Sequence, residues 1–457
     1  MRTKYLILIM IGISVKSFSQ FTVETVSNTV NEATSVFVAD IDGDNDLDIL
    51  AASWKDDKIV WFENTNGNGD FGSPQTITTY ADGADCVRAY DLDGDGDMDV
   101  LSASYYDNKV AWYENTDGKG TFGEQKIISL DLIYGSFVNA GDLDGDGDMD
   151  VLSASIDDNK IAWYENTDGK GTFGIQQVIA SPIAPNSVLA ADIDGDGDLD
   201  VLFDASTGNE VAWCENTNGQ GSFGEKKIIV EGYDIIHQPS SVSVADIDGD
   251  GYLDVLATSI RDDKVSWYKN LDGKGNFGTQ QIVSDNAIEA RSAVAADFNN
   301  DGTLDVVAAS WASNVIAWYP NTDGKGTFGQ QQIITLYAKN ASGVYIGDFN
   351  RDGGIDVVSS SYRDNTIAWY KNINVPNALN KEIFNNCSVF PNPTKNFINI
   401  NSKIAISKID IYNQLGQKVI SKINTEQIDV SELSIGIYTL IITDKNNQIR
   451  TAKISKQ

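Results

Sequence analysis

The chain has 457 residues and a formal net charge of −33; the part before residue 375 is more acidic still, and residues 375–457 are net positive. So acidic a surface excludes nucleic acid and anionic lipid as natural partners. Three cysteines (Cys86, Cys214, Cys387) without ligand spacing supply neither a disulfide framework nor a zinc site, and a lone histidine, His237, excludes a Ser-His-Asp triad or a multi-histidine metal site.

Arg2 and Lys4 precede an apolar run from Tyr5 to Val15, and Ser17-Phe18-Ser19 then offers small residues at −3 and −1 before Gln20. Residues 1–19 therefore read as a secretory signal peptide. The run is too short for a bilayer, which needs about 20 residues, and no other stretch is as long, so no transmembrane segment is expected.

A nine-residue acidic loop follows, seven times over. Its starts are Asp40, Asp91, Asp142, Asp192, Asp246, Asp297 and Asp348, spaced 51, 51, 50, 54, 51 and 51 residues apart. In Asp142-Leu-Asp-Gly-Asp-Gly-Asp-Met-Asp150 five carboxylates stand on alternate residues and repel unless they share a cation. Ca2+, with about 6 to 8 oxygen ligands in flexible geometry, fits that demand. Position 3 is Asp42, Asp93, Asp144, Asp194, Asp248, Asn299 and Asn350, and position 5 is Asp44, Asp95, Asp146, Asp196, Asp250, Asp301 and Asp352. Position 9 is Asp48, Asp99, Asp150, Asp200, Asp254, Asp305 and Asp356. With position 1 these are the candidate side-chain ligands, for up to seven calcium ions. Position 7 varies too widely for a side-chain role (Asp46, Asp97, Asp148, Asp198, Tyr252, Thr303, Gly354), so it is expected to ligate through its backbone carbonyl. Position 6 is Gly, or Asn45 in the first loop. These residues enter the left-handed region at least cost, as a tight wrap requires.

An EF-hand would need Glu at position 12, where this chain has Ala51, Ser102, Ser153, Phe203, Ala257, Ala308 and Ser359. Calcium-binding β-helices repeat every nine residues, whereas a period near fifty matches propeller blades. Each repeat holds four short β-branched or aromatic segments bounded by Asn, Asp and Gly. In the second copy these are Cys86–Tyr90, Asp99–Tyr105, Lys109–Glu114 and Phe122–Ile128. They predict four antiparallel strands, A to D. Seven such units cannot bury two faces each in isolation and must stack radially. The expected fold is all-β, a seven-bladed propeller over residues 20–373, with Trp61, Trp112, Trp163, Trp213, Trp267, Trp318 and Trp369 packing between blades. The seventh unit lacks strand D, and Phe21–Val26 lies at the spacing to supply it.

These loops, with the Phe-Gly pairs at Phe71, Phe122, Phe173, Phe223, Phe277 and Phe328, resemble the FG-GAP or VCBS-type repeats of bacterial surface proteins and integrin α-subunits. The resemblance implies the propeller and its calcium. It leaves function open, because such propellers serve as adhesins, lectins and some polysaccharide-cleaving enzymes.

Residues 374–384 read as a linker. From 385 to 457 tryptophan is absent, isoleucine abundant and the charge positive, and five strand-like segments suggest a small β-sandwich. Pro391-Asn-Pro393, Tyr412-Asn-Gln-Leu-Gly-Gln-Lys-Val419, Gly436-Ile-Tyr438 and the basic end resemble the sorting domain of type IX secretion. That resemblance implies a secreted or outer-membrane surface protein, with the secretion machinery as partner.

Three functions compete: a calcium-stiffened module that binds or adheres to a glycan or protein ligand, an extracellular polysaccharide-active enzyme, and a structural spacer. No catalytic constellation is legible, which favours a non-enzyme. The repeats diverge around the B–C turns, at Trp54, Tyr105-Tyr106, Ile156, Ser206, Ile260-Arg261, Trp311 and Tyr362-Arg363. Trp54, Tyr106, Trp311 and Tyr362 are the candidate ligand contacts on the face opposite the metals.

Overall fold

A computed structural model describes residues 20–373 without a break and, in the tail, residues 387–390, 394–402, 406–412, 418–423, 425, 427–431, 433, 436–445 and 449–456. The signal-peptide and linker readings lie outside the described residues, as does Pro391-Asn-Pro393. The chain divides into two compact units, Met1–Val375 and Pro376–Gln457.

The first unit is a ring of seven four-stranded antiparallel sheets. In the second blade strand A is Ala84–Tyr90, B is Asp99–Ser104, C is Lys109–Tyr113 and D is Lys126–Ser129. Burial peaks at strands B and C and falls away at strand D. Every residue of strand B is buried in all seven blades. Its composition follows: sequences such as Asp-Val-Leu-Ser-Ala-Ser place Val and Leu between small residues, so that sheets buried on both faces can approach closely. Strand D begins later than the pattern suggests. Phe122, just past the Asp117–Gly120 turn, makes only an isolated bridge to Asn115, and regular pairing with strand C begins at Lys126, opposite Trp112.

The seventh sheet is completed from the other end of the chain. Phe21–Ser27 pairs antiparallel with Thr366–Asn372, in register from Phe21 opposite Asn372. This removes an exposed edge and ties the ring shut. Phe21 is buried against Phe298, ring centroids 6.2 Å apart, in one core cluster with Trp318.

The seven strand-C tryptophans are buried between blades. Six seat against a glycine of the next C–D turn. A Cβ on Gly120 would lie 2.2 Å from Trp61 and one on Gly171 2.1 Å from Trp112, and Gly221, Gly275, Gly326 and Gly69 meet Trp163, Trp213, Trp267 and Trp369 likewise. Each seat buries roughly 150–250 Å² of indole, an upper estimate of about 4–6 kcal/mol. Trp318 lacks such a seat because blade seven has no C–D turn; Phe21 and Phe298 close over it instead.

In the tail unit a three-stranded sheet (Cys387–Phe390, Phe397–Ser402, Gln427–Asp429) and a four-stranded sheet (Ile406–Tyr412, Lys418–Ile423, Gly436–Asp444, Ile449–Lys456) share a core that includes Ile398, Ile400, Ile409, Ile411, Ile428, Leu440 and Ile442. No helix among the described residues is long and apolar enough to cross a membrane.

Candidate functional site

Strand A enters each acidic loop and strand B leaves it, so loops and C–D turns share one face. The B–C turns and D–A connections share the other. On the loop face the backbone wraps round the first carboxylate. In loop one Gly43 N–H donates to Asp40 Oδ1 and Asn45 N–H to Asp40 Oδ2, both at 2.9 Å, and Asp46 N–H donates to Asp44 Oδ1 at 2.8 Å. Position 6 is left-handed in all seven loops, from φ 67° at Asn45 to 100° at Gly197. Position 4 is left-handed too, through Gly43, Gly94, Gly145, Gly195 and Gly249 and then Asn300 and Arg351. The glycine at position 4 of the first five loops carried that signal in the sequence.

Position 9 has a role that spacing does not reveal. Asp99 is buried; it accepts Leu92 N–H at 2.9 Å and Asn115 N–H at 2.8 Å, joining the loop to the end of strand C. The Asn115 amide donates in turn to Ile41 O of the preceding blade, 2.8 Å away. Asn64, Asn166, Asn216, Asn270, Asn321 and Asn372 do the same, so the tie runs round the ring. Burial pushes Asp48, Asp99, Asp150, Asp200, Asp254 and Asp356 up to about 7 and Asp305 to about 6.

Three carboxylates can bring oxygens within 4.8 Å of one another in each of the first five loops: Asp40, Asp42 and Asp48; Asp91, Asp93 and Asp99; Asp142, Asp144 and Asp146; Asp192, Asp194 and Asp200; Asp246, Asp248 and Asp250. Burial first, and then neighbouring acids, raise Asp42, Asp93, Asp144 and Asp194. Among those acids are Glu63, Glu114, Glu165 and Glu215 from the end of strand C. Asp194 Oδ1 is buried with no hydrogen-bond partner. An all-oxygen set of crowded carboxylates with an orphaned buried oxygen suits a hard divalent cation. Loops six and seven form no such three-carboxylate group among the described residues, position 3 being Asn299 and Asn350.

Loop five differs. There the strand-C residue is Lys269, whose Nζ contacts Asp248 and lies 2.7 Å from Asp250 Oδ2. Although burial acts upward on Asp250, the Lys269 ammonium and Tyr252 N–H hold it below the usual carboxylate range.

At the opposite face a second tie repeats. The Asn or Asp of each B–C turn accepts an N–H from the next blade's D–A connection, as in Asp57 with Gly83, Asn108 with Tyr134 and Asn314 with Asn340, at 2.9–3.0 Å. Side chains on this frame are irregular. Trp54 lies 5.1 Å from both Tyr105 and Tyr106, and Tyr105 stacks on Tyr134 at 4.2 Å and 8°. Tyr105 and not Tyr106 is the topological equivalent of Trp54, by their matching bonds to Gly83 O and Glu32 O. Trp311 meets Tyr362 at 5.2 Å, and Tyr362 Oη donates to Glu32 at 2.7 Å. Trp311 and Tyr362, with Glu32, Asn340, Arg363 and Asn365, line a cavity of about 590 Å³. The Arg291 guanidinium lies over Trp311 at 4.9 Å, and its buried Nε finds no acceptor. Trp54 and Tyr106 are not among the cavity-lining residues; they form a neighbouring aromatic cluster on the same face. His237 packs against Tyr233 at 3.8 Å in the connection between blades four and five.

Comparison with known proteins places this geometry. No curated protein matches the chain. Among solved structures, the chain is similar to an Agrocybe aegerita lectin described as recognising non-reducing terminal N-acetylglucosamine, at 20% identity and a TM-score of 0.51, covering 75% of this chain and 86% of that one. It is also similar to BBS1N, solved in complex with ARL6DN, at 11% identity and a TM-score of 0.52, covering 78% and 97%. At such identities the likeness is one of fold. A secretion system C-terminal sorting domain matches residues 388–457, which marks the chain for export. The FG-GAP-like repeat matches six times, at residues 40–102, 91–153, 142–203, 205–257, 246–308 and 297–359, and the chain belongs to that repeat family.

Proposed function

We propose that this protein is a secreted, surface-displayed binding module in which calcium stiffens one face of the propeller and the other face takes a glycan. The bound ion would supply the positive charge that lets crowded carboxylates keep their wrapped geometry. Side chains of loop positions 1, 3, 5 and 9 and the carbonyl of position 7 would hold it, foremost in the first four loops.

The observation that carries the ligand reading is the cavity of about 590 Å³ at Trp311 and Tyr362. A symmetric scaffold breaks its symmetry there, with two aromatic rings beside the amides of Asn340 and Asn365, a carboxylate and a guanidinium. Flat rings stack on the apolar face of a sugar while amides and charges bond its hydroxyls. One propeller of the same fold recognises a terminal N-acetylglucosamine, which makes a saccharide the first ligand class to test. A non-catalytic role fits the single histidine.

The test is a glycan array probed with the secreted protein in calcium, beside a pull-down from surface extracts. Saturable binding to a saccharide set supports the reading; capture of a protein alone, or no ligand in either, refutes it. Export is tested separately: removing residues 385–457 should strand a folded propeller in the periplasm, and unimpaired delivery would refute the sorting role.

A further inference from the structure

The residue that closes strand C, just before the ring-tying asparagine, divides the seven loops. It is Glu63, Glu114, Glu165 and Glu215 in blades one to four, then Lys269, Pro320 and Lys371 in blades five to seven. It stands beside the loop, so its charge is added to that of the carboxylates. In the first four blades it deepens the negative charge that a cation must balance. In the fifth the sign reverses.

We propose that the Lys269 ammonium is a built-in counter-cation for loop five, which therefore takes no calcium although its sequence, Asp246-Ile-Asp-Gly-Asp-Gly-Tyr-Leu-Asp254, carries a full ligand set. This inference rests on the calcium reading of the other loops. Lys269 contacts Asp248 and lies 2.7 Å from Asp250, so one tethered charge lies between the carboxylates of positions 3 and 5. A divalent ion would have to displace it, and the displaced ammonium would lose two charge-assisted hydrogen bonds. Neighbouring loops point the same way with weaker donors. In loop six the Thr303 hydroxyl donates to Asp301 at 2.6 Å. In loop seven the Asn350 amide donates to Asp356 at 3.2 Å, and Lys371 lies 4.0 Å from Asp352. Calcium dependence is thus concentrated in one arc of the ring, blades one to four.

Calcium bound per full-length chain, counted by equilibrium dialysis and metal analysis, tests this. Asp91→Asn with Asp93→Asn in loop two should lower the count by one. Asp248→Asn with Asp250→Asn in loop five should leave it unchanged. Lys269→Glu, which gives loop five the acid of the first four, should raise the count by one; Lys269→Gln, which keeps side-chain bulk without the charge, should raise calcium affinity at that loop. Loss of one ion on changing Asp248 and Asp250 alone overturns the inference, as does an unchanged count in a folded Lys269→Glu protein. If the loop-two variant loses no ion, the calcium reading itself fails and this inference with it.

Discussion

On the loop face Asn115 reaches Ile41 O, Asn166 reaches Leu92 O and five further asparagines repeat the bond at 2.7–2.9 Å. At the other end of the same strands one backbone position holds Trp54, Tyr105, Ile156, Ser206, Ile260, Trp311 and Tyr362, each donating its N–H to the same kind of carbonyl. Both faces keep their main-chain bonds and one Asn or Asp tie in every blade; the loop face also keeps the carboxylates of positions 1, 5 and 9, whereas the side chains at this position of the other face vary from blade to blade. Repeated side chains imply a task done seven times, which is tying each blade to its neighbour. Variation over a fixed frame implies a task done once, which is what a single asymmetric ligand requires.

If that division is right, the largest perturbation comes from emptying the loop face. A site filled at a hundred times its Kd adds about 2.7 kcal/mol to the folded state, and the first four loops act together. Excess EGTA should lower the melting temperature by on the order of 10–20 °C, read by calorimetry at fixed pH and reversed by added calcium. An unmoved transition would break the comparison, since the loops would then be ordinary acidic turns.

Opening the ring comes next. Removing residues 20–27 strips the partner strand from Thr366–Asn372 and uncovers Phe298 and Trp318. The burial of Phe21 alone is worth about 2–3 kcal/mol, and a new sheet edge adds to the loss. The truncated chain should unfold several kilocalories earlier in urea and aggregate at lower concentration. Equal stability would mean that the ring does not depend on its closing strand.

Much of this was legible because the chain carries its own alignment. Seven copies separate what geometry fixes (Asp at positions 1, 5 and 9, Gly or Asn at position 6, Trp on strand C) from what it leaves free. Ring closure was legible too, since Phe21 stands as far before Asp40 as Phe173 stands before Asp192. The pair of hydrogen bonds accepted by Asp99 was not, because a carboxylate that bridges two backbone N–H groups looks in sequence like any other ligand. Lys269 left a trace, a lysine where four blades have glutamate, but its meaning depends on which way strand C delivers the side chain. The cavity at Trp311 was legible in part: divergence around the B–C turns pointed to Trp311, Tyr362 and Arg363, but not to Glu32, Asn340 and Asn365 from the D–A connections and a neighbouring turn. It forms between side chains of blades six, seven and one, residues as distant as Glu32 and Arg363.

A smaller effect tests whether irregularity at the rim end of the blades is tolerated at a cost. Asp204, fully buried on strand B of blade four, stands where blades one to three have Ala52, Ala103 and Ala154. It accepts Ser187 N–H at 2.7 Å and Ser187 Oγ–H at 2.5 Å, and its Oδ2 has no partner. Burial pushes it up to about 6. A carboxyl raised in the folded state contributes stability that is fully present below its unfolded value near 4 and is lost as pH rises through 6. With calcium saturating, the parent should lose at most about 3 kcal/mol between pH 4 and 7 through this group, and Asp204→Asn should remove that part of the slope. Parallel pH profiles for the two proteins would show that Asp204 stays ionised throughout.

The smallest predicted effect decides what the irregular face is for. Trp311 and Trp54 hold equivalent backbone positions, yet Trp311 lines the cavity and Trp54 packs among Tyr105 and Tyr106. With whichever saccharide the array returns, Trp311→Ala should weaken binding by about tenfold, or 1.4 kcal/mol, and leave the melting temperature within a degree or two, because a partly buried rim residue carries little of the core. Trp54→Ala, which strips a ring from an aromatic cluster whose contacts are each worth about 0.5–1.5 kcal/mol, should lower stability more than affinity. Titration calorimetry and thermal melts on the same two variants separate the outcomes. If Trp311→Ala loses stability with affinity intact, the cavity is a packing defect between blades and the ligand must be sought along the Trp54 cluster, whose exposed member Tyr106 then becomes the next position to change.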